Sequence, residues 1–342
     1  MTDLLPIPSA MPAVIYRAPG AVDAPDSFVD AEVEVPAPGP HDLLVRVEAV
    51  SVNPVDVKRR AKAEPIGDGI LGFDAAGTVA AVGEAVEFFS PGDEVYYAGS
   101  VLRAGSNAGY QLVDERLVGR KPAILSFAEA AALPLTSLTA WEGLLRQLRL
   151  TGDSHGTLLV VGGAGGVGSM VVQLAKTLTG VTVIATASRP ETVGWVTELG
   201  ADLVVDHSRE LAPQIAELAP EGIDWVFSTQ RTKANLPALV EVLKPFGQIV
   251  AIDDPDVLDV TSLKPKALGF HWEFMFARST YQTPDMVEQH RILDSVAELV
   301  ESGALRTTAT RILTPLDAAT LREAHALVES GTSIGKVVVS RS

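Results

Sequence analysis

The stretch TLLVVGGAGGVGSMVVQLAKTL, residues 157–178, decides the fold. Its first five residues form a short apolar run rich in β-branched side chains, which reads as a buried strand. Glycines follow. After them SMVVQLAKTL (169–178) has the spacing of an amphipathic helix, stopped by Gly180. Within GGAGGVG (162–168) the pattern G-x-G-x-x-G falls on Gly163, Gly165 and Gly168. The first glycine permits a tight turn, the second lets backbone approach a pyrophosphate, and the third lets helix and strand pack closely. The helix start then presents free N–H groups and a positive dipole end to the anion. Gly163, Ala164, Gly165, Gly166, Val167 and Gly168 are therefore the expected dinucleotide cradle.

The next strand decides which dinucleotide. VTVIATA (181–187) ends in Ser188, Arg189 and Pro190. Ser188 lies 20 residues past Gly168, where an acid would accept a hydrogen bond from the ribose 2′-hydroxyl of NAD. No acid stands there, and Arg189 can make charge-assisted bonds to a 2′-phosphate instead. The expected cofactor is NADP(H); the competing reading of Arg189 is a solvated loop residue. His207, ending the third strand, either touches the same phosphate or is an ordinary exposed histidine.

Outward from this motif, strands and helices alternate. Further strands are read at 201–207, 223–229 and 247–254, with helices at 191–199 and 238–244. Such alternation implies a doubly wound parallel sheet, a Rossmann arrangement in an α/β protein. Phe227, Ser228, Ile252 and Asp253 end its fourth and fifth strands, where ligands lie in such sheets. Before it, residues 12–134 are short apolar strands between Gly and Pro turns such as PAPGP (36–40) and SPGD (90–93), which reads as a compact β-barrel-like domain. The first strand is expected at about 13–16, after an N-terminal extension (1–11). SFAEAAALPLTSLTAWEGLLRQL (126–148) reads as two helices split by Pro134. A last part, with helices at 285–301 and 317–329 and strands at 305–313 and 336–340, is expected to pack back onto the first domain.

Composition removes several classes of function. The chain has 342 residues, 47% of them hydrophobic and 20% charged, and a net charge of −16. Such a surface repels polyanions and argues against nucleic acid as a partner. There is no cysteine, so disulfides, thiolate metal sites and a cysteine nucleophile are excluded. The six histidines are scattered without metal-ligand spacing. No apolar run approaches the roughly 18 residues that span a bilayer, and MTDLLPIPSA lacks the features of a signal peptide. A cytoplasmic protein acting on a small molecule, without a membrane partner, is the expectation.

With the motif placed, the chain resembles the medium-chain dehydrogenase/reductase superfamily, and within it the quinone oxidoreductase branch. The resemblance runs from about Met11 to Ser340. It is carried by SVNPVDVKRR (51–60), LGFDAAGTVAAVG (71–83), PGDEVYYAG (91–99), AALPLTSLTAWEGL (131–144), GGAGGVGS (162–169), ATASRPE (185–191), GADLVVDHS (200–208) and IGKVVV (334–339). It implies a GroES-like β-barrel catalytic domain split between 12–135 and 285–342, around an NADP-binding Rossmann domain at 136–284. Zinc alcohol dehydrogenases of the superfamily place a Cys in the segment matching SVNPVDV and a His-Glu pair in the segment matching GFDAAG. Here the corresponding pair is Phe73 and Asp74, and the lobe that carries a second, structural zinc is missing. One acid does not make a tetrahedral zinc site, so no metal is expected. Asp74 is then structural, accepting N–H bonds from the AAG turn or pairing with a cation.

Without a Lewis acid the expected chemistry moves to acceptors that take hydride readily, namely quinones and α,β-unsaturated carbonyls. The candidate catalytic residues lie in SVNPVDVKRR. Asn53 is a donor to substrate or to the nicotinamide ribose. Asp56 holds the loop or a ribose, and Lys58 is a donor to the ribose or the developing oxyanion. The alternative for Asn53 and Asp56 is fixing the Pro54 turn, and for Lys58 a solvated charge. Tyr97 reads as a packed strand residue before it reads as a proton donor. The resemblance adds Thr139 near the nicotinamide, or as a helix residue that caps or packs, and Lys336 reaching the cofactor, or starting an exposed strand. HWEFMFAR (271–278) reads as a strand that either forms a sheet edge pairing with a second copy, is covered by its own chain, or lines the substrate pocket; a homodimer is the expectation. The rival functions are a zinc-type alcohol dehydrogenase and an NADPH-binding module with little turnover.

Overall fold

The computed structural model describes residues 6–341, so the expected extension at 1–11 lies partly outside the described residues. The chain divides into two compact units, one of Thr136–Met275 and one of Met1–Leu135 with Phe276–Ser342. The second boundary falls at 275/276, before the expected 284/285. Phe276 belongs to the first unit because its ring packs edge-on against Phe73, with centroids 5.6 Å apart.

In the 136–275 unit, six strands form an all-parallel sheet. In spatial order they are Leu203–Val205, Thr182–Thr186, Thr157–Val161, Ile223–Ser228, Leu243–Ala251 and Gly269–Trp272. Numbered along the chain this is order 3-2-1-4-5-6, the dinucleotide-binding arrangement, with its switch point between the first and fourth strands. Leu159, Ile184, Val226 and Ile249 are fully buried, so these strands read as near-continuous apolar runs covered on both faces.

Three local readings need correction. The helix expected at 238–244 runs over Thr232–Val242, and Pro237 inside it masked the helical pattern. Within 126–148, Phe127–Ala131 and Pro134–Trp141 are helical, but the second passes into a π-turn at Glu142–Gln147. There Gly143 lies so close to the Phe227 ring that a Cβ would sit 2.3 Å from Cε2. HWEFMFAR is not one strand. The strand ends at Trp272, Met275 and Phe276 are buried, and Ala277–Tyr281 is helical. Trp272 and Phe274 remain about half exposed beside the sheet edge.

The other unit holds a two-stranded sheet, Ala10–Ile15 with Val29–Glu34, and a seven-stranded sheet built around Asp42–Val52. That long strand pairs antiparallel with Ala75–Val82, with Tyr110–Asp114 and with Lys336–Ser340. The chain end thus returns to this sheet, with Val337 opposite Val52. Val45, Val79, Val95, Val118 and Val339 meet in its core. Among the described residues no helix is long and apolar enough to cross a membrane.

One buried group makes this unit acid-sensitive. His325, in the Ala318–Glu329 helix, is fully buried, packs edge-on to Phe28 at 4.6 Å, and has no hydrogen-bond partner on either ring nitrogen. Burial, with the nearby Arg60 charge, pushes its pKa down to about 3. Between pH 6.5 and 3 the unfolded chain therefore binds a proton that the folded chain refuses, and stability falls as pH falls. The contribution reaches roughly 4–5 kcal/mol over that window. His325→Phe is expected to flatten this acid limb. Urea unfolding of both proteins at pH 7 and pH 4.5 checks it, and an equal acid loss in both would contradict it.

Candidate active site

Asn53 begins the Pro54–Lys62 helix, where proline at the first position fixes the entry angle. Its backbone N–H donates to Asp56 Oδ2 at 2.8 Å. Its side chain is committed as well. Nδ2 donates to Asp74 Oδ2 (2.8 Å) and to the Ser51 carbonyl (3.3 Å), and Oδ1 accepts from Lys336 Nζ at 2.6 Å. These bonds use the whole amide in fixing the turn. The far end of the same helix is pinned by the fully buried Arg60, which donates to the Gly20 carbonyl (2.8 Å) and to Glu329. Lys58 stands exposed between these two anchors.

Asp74 lies at the centre. It is fully buried, and its oxygens accept from Leu135 N (2.7 Å), Asn53 Nδ2 (2.8 Å) and Ser51 Oγ (3.0 Å), with Lys336 Nζ at 3.2 Å. The donors are not the amides of the AAG turn. Ala75 onward is strand, and its backbone serves the ladders on either side. The cation is Lys336, brought here because its strand pairs with Asp42–Val52. Lys336 is itself buried, and Nζ also donates to the Val52 carbonyl at 2.9 Å. With three acceptors around three protons, Lys336 is neither an exposed strand start nor directed at a cofactor.

Two carboxyls thus share one ammonium out of contact with water. Burial pushes Asp56 up to about 7, against the Asn53 amide and the Lys336 charge, while the negative Asp74 adds to the rise. Burial also raises Asp74, opposed by Lys336 and by the donors from Asn53, Leu135 and Ser51. It lowers Lys336, opposed by both carboxylates. A zinc ion does not fit here. The neighbouring position is the phenyl ring of Phe73, packed on Phe276 and under the Arg59 guanidinium, and the Asp74 oxygens are already engaged. Among the described residues no cluster of three or more His, Cys, Asp or Glu is arranged to hold a metal. Tyr97 is a core residue whose buried hydroxyl has no partner and whose pKa burial raises.

The glycine loop follows the first strand of the parallel sheet, at the switch point. A Cβ on Gly168 would lie 2.2 Å from the Gly162 carbonyl oxygen, whereas one on Gly165 would meet nothing nearer than 3.5 Å. The third glycine is thus required for packing, and the second leaves open space for a ligand. Gly165, Gly166 and Val167 are half-buried, and Ala164 is buried. Thr186, a residue not among the expected site residues, ties the loop to the second strand by accepting from Gly162 N (2.9 Å, Oγ1) and Gly163 N (3.2 Å, carbonyl). A threonine ending that strand was the available signal. These residues fit a dinucleotide pyrophosphate.

The structure brings Ser188 and His207 together, with Ser188 Oγ 3.2 Å from Nε2. Arg189 caps the Pro190–Glu198 helix and pairs with Glu191 at 3.0 Å. Thr139 is buried in the Pro134–Trp141 helix. At the strand ends, Phe227 packs on Gly143, and Ser228 Oγ lies 2.7 Å from Thr232 Oγ1. Ile252 is half-buried, and Asp253 accepts from Thr232 N at 2.9 Å, at the start of the Thr232–Val242 helix.

Comparisons with known proteins agree with this architecture. Residues 39–141 match the family model of the alcohol dehydrogenase GroES-like domain, and residues 199–339 that of the zinc-binding dehydrogenase. A zinc-type alcohol dehydrogenase-like protein of Staphylococcus aureus is 40% identical over 337 residues, covering 96% of this chain and 100% of that one. The 2-methylene-furan-3-one reductase of Solanum lycopersicum is 39% identical over 260 residues, 72% of this chain and 63% of its own. Among solved structures, a candidate zinc-dependent alcohol dehydrogenase from Rhizobium etli CFN 42 superposes with a TM-score of 0.94 at 51% identity, over 97% of this chain and 98% of that one. A split GroES-like unit, a parallel sheet in dinucleotide-binding order and these relatives lead to one assignment: the chain belongs to the medium-chain dehydrogenase/reductase superfamily of nicotinamide-dependent oxidoreductases.

Proposed function

We propose that this chain is an NADPH-dependent, metal-independent reductase acting on a quinone or on the activated C=C bond of an α,β-unsaturated carbonyl compound. The observation that carries the reading is the buried Asp74–Lys336 pair beside Phe73: by the resemblance, Phe73 and Asp74 stand at the positions of the zinc enzymes' His-Glu pair, and here the acid is committed to a lysine. In the zinc enzymes of this superfamily a Lewis acid polarises the oxygen when a simple alcohol and carbonyl are interconverted. A conjugated acceptor spreads the developing charge over its π-system and needs less help. Bound NADPH would supply the hydride. The chain's own part is to orient the reactants, exclude water and place a donor at the developing oxyanion. We assign that donor to Lys58, on a helix anchored at both ends; Asn53 and Asp56 hold its start. Ser188, Arg189 and His207 are assigned to the 2′-phosphate. The alkenal/one oxidoreductase of Arabidopsis thaliana, 38% identical over 256 residues and NADPH-dependent, supports the cofactor and the acceptor class. The exposed Trp272 and Phe274 at the sheet edge support a homodimer through that edge.

A panel of quinones, enones and simple aldehydes, each run with NADPH and with NADH, tests the reading. Turnover on the first two classes with NADPH, at least about tenfold above aldehydes, is expected. Equal or better turnover of simple aldehydes would overturn it. A flat panel with tight NADPH binding would favour the binding module instead.

A further inference from the structure

The corner formed by Ser188, Arg189 and His207 contains an acid that the proposed function leaves unused. Glu191 Oε1 lies 3.0 Å from Arg189 Nε, and the two side chains are 58% and 38% exposed, so a ligand can reach either. Glu191 sits in the first turn of the Pro190–Glu198 helix, where the helix dipole favours a carboxylate. Ser188 Oγ and His207 Nε2, 3.2 Å apart, complete the corner. An internal carboxylate therefore already occupies the guanidinium assigned to the 2′-phosphate. A phosphate arriving there must displace it from Nε or bind the remaining guanidinium nitrogens, and in either case stands close to its negative charge. In dinucleotide-binding sheets a carboxylate at the end of the second strand accepts a hydrogen bond from an unphosphorylated ribose 2′-hydroxyl; here that position is Ser188, and Glu191 offers a carboxylate five residues past the strand end at Thr186, on the helix that follows.

We infer that Glu191 sets cofactor selectivity, competing with the 2′-phosphate of NADPH for Arg189 and accepting the ribose 2′-hydroxyl of NADH. The chain then uses both cofactors, with NADPH preferred but held back. This inference rests on assigning the corner to the adenosine ribose.

The test measures Kd by calorimetry and kcat/KM for NADPH and NADH in the parent, Glu191→Gln and Arg189→Gln. Glu191→Gln is expected to raise the NADPH:NADH ratio about threefold to fivefold, the scale of an exposed ion pair, and the gain should shrink with added salt. A ratio unchanged within twofold, or moved toward NADH, would overturn the inference. Arg189→Gln separates the two claims. If it weakens NADPH while sparing NADH, the corner reads the phosphate whatever Glu191 does. If it weakens both cofactors equally, the corner assignment fails and the inference with it.

Discussion

Replacing Lys336 by methionine is expected to destabilise the protein by about 3–5 kcal/mol, the cost of leaving a buried charge without its partner. Methionine has nearly the same length, so the loss is electrostatic rather than steric. Nζ lies 2.6 Å from Asn53 Oδ1, 2.9 Å from the Val52 carbonyl and 3.2 Å from Asp74. Removing it strips the counter-charge from two buried carboxyls and leaves two acceptors unmade. Asp74→Asn in the same background should recover part of the stability, because a neutral amide needs no counter-charge and its oxygen can still accept the Leu135 N–H, whereas an apolar residue would orphan the Leu135, Asn53 and Ser51 donors. Activity should not recover with it, since Asn53 would still lose its Lys336 anchor and the turn leading to Lys58 would be unpinned. Urea unfolding of the single and double variants measures the first effect and steady-state rates the second. A single variant within about 1 kcal/mol of the parent would mean that the pair does not hold this site together.

Gly168→Ala is expected to lower NADPH affinity on the order of a hundredfold, the scale of a misplacement of about 1 Å in a positioned site. The added methyl would lie 2.2 Å from the Gly162 carbonyl oxygen and 2.8 Å from Gly163 Cα, and both are backbone atoms that cannot swing aside. The Gly166–Leu178 helix must then move off its strand, taking the amides that face the pyrophosphate. Gly194→Ala is the matched control. It lies within the Pro190–Glu198 helix with nothing inside 4 Å of the new methyl, and should stabilise that helix by about 0.5–1 kcal/mol without touching binding. Equilibrium titration of both variants with NADPH checks the contrast. Gly168→Ala binding as tightly as Gly194→Ala would contradict the packing argument.

The sequence exposes those parts of the fold that rest on local patterns. The strand–glycine–helix unit at 157–178 is legible because its residues are neighbours in the chain, and alternation to either side implies the parallel sheet. The return of the last strand to the barrel is legible because the two strands of that segment, which pair with each other, are too few to bury a sheet face alone. The centre of the site is not legible in the same way. Asp74 reads as a lone acid, and Lys336 as a surface or cofactor-facing residue, because only the pairing of Val337 with Val52 brings them together. The error at HWEFMFAR has a similar origin. Period-2 alternation does not show where a strand leaves its sheet, and the burial of Met275 and Phe276 after Trp272 is a tertiary fact. Pro237 hid a helix for the opposite reason, since packing overrode a local breaker.

The central claim is that this site reduces activated acceptors without a metal. The most direct test runs the acceptor panel on chelator-treated protein, with zinc measured in the same samples. The expected result is zinc well below one ion per chain and unchanged NADPH-dependent reduction of enones or quinones. Zinc retained at one per chain, with activity lost on its removal and restored on its return, would contradict the claim.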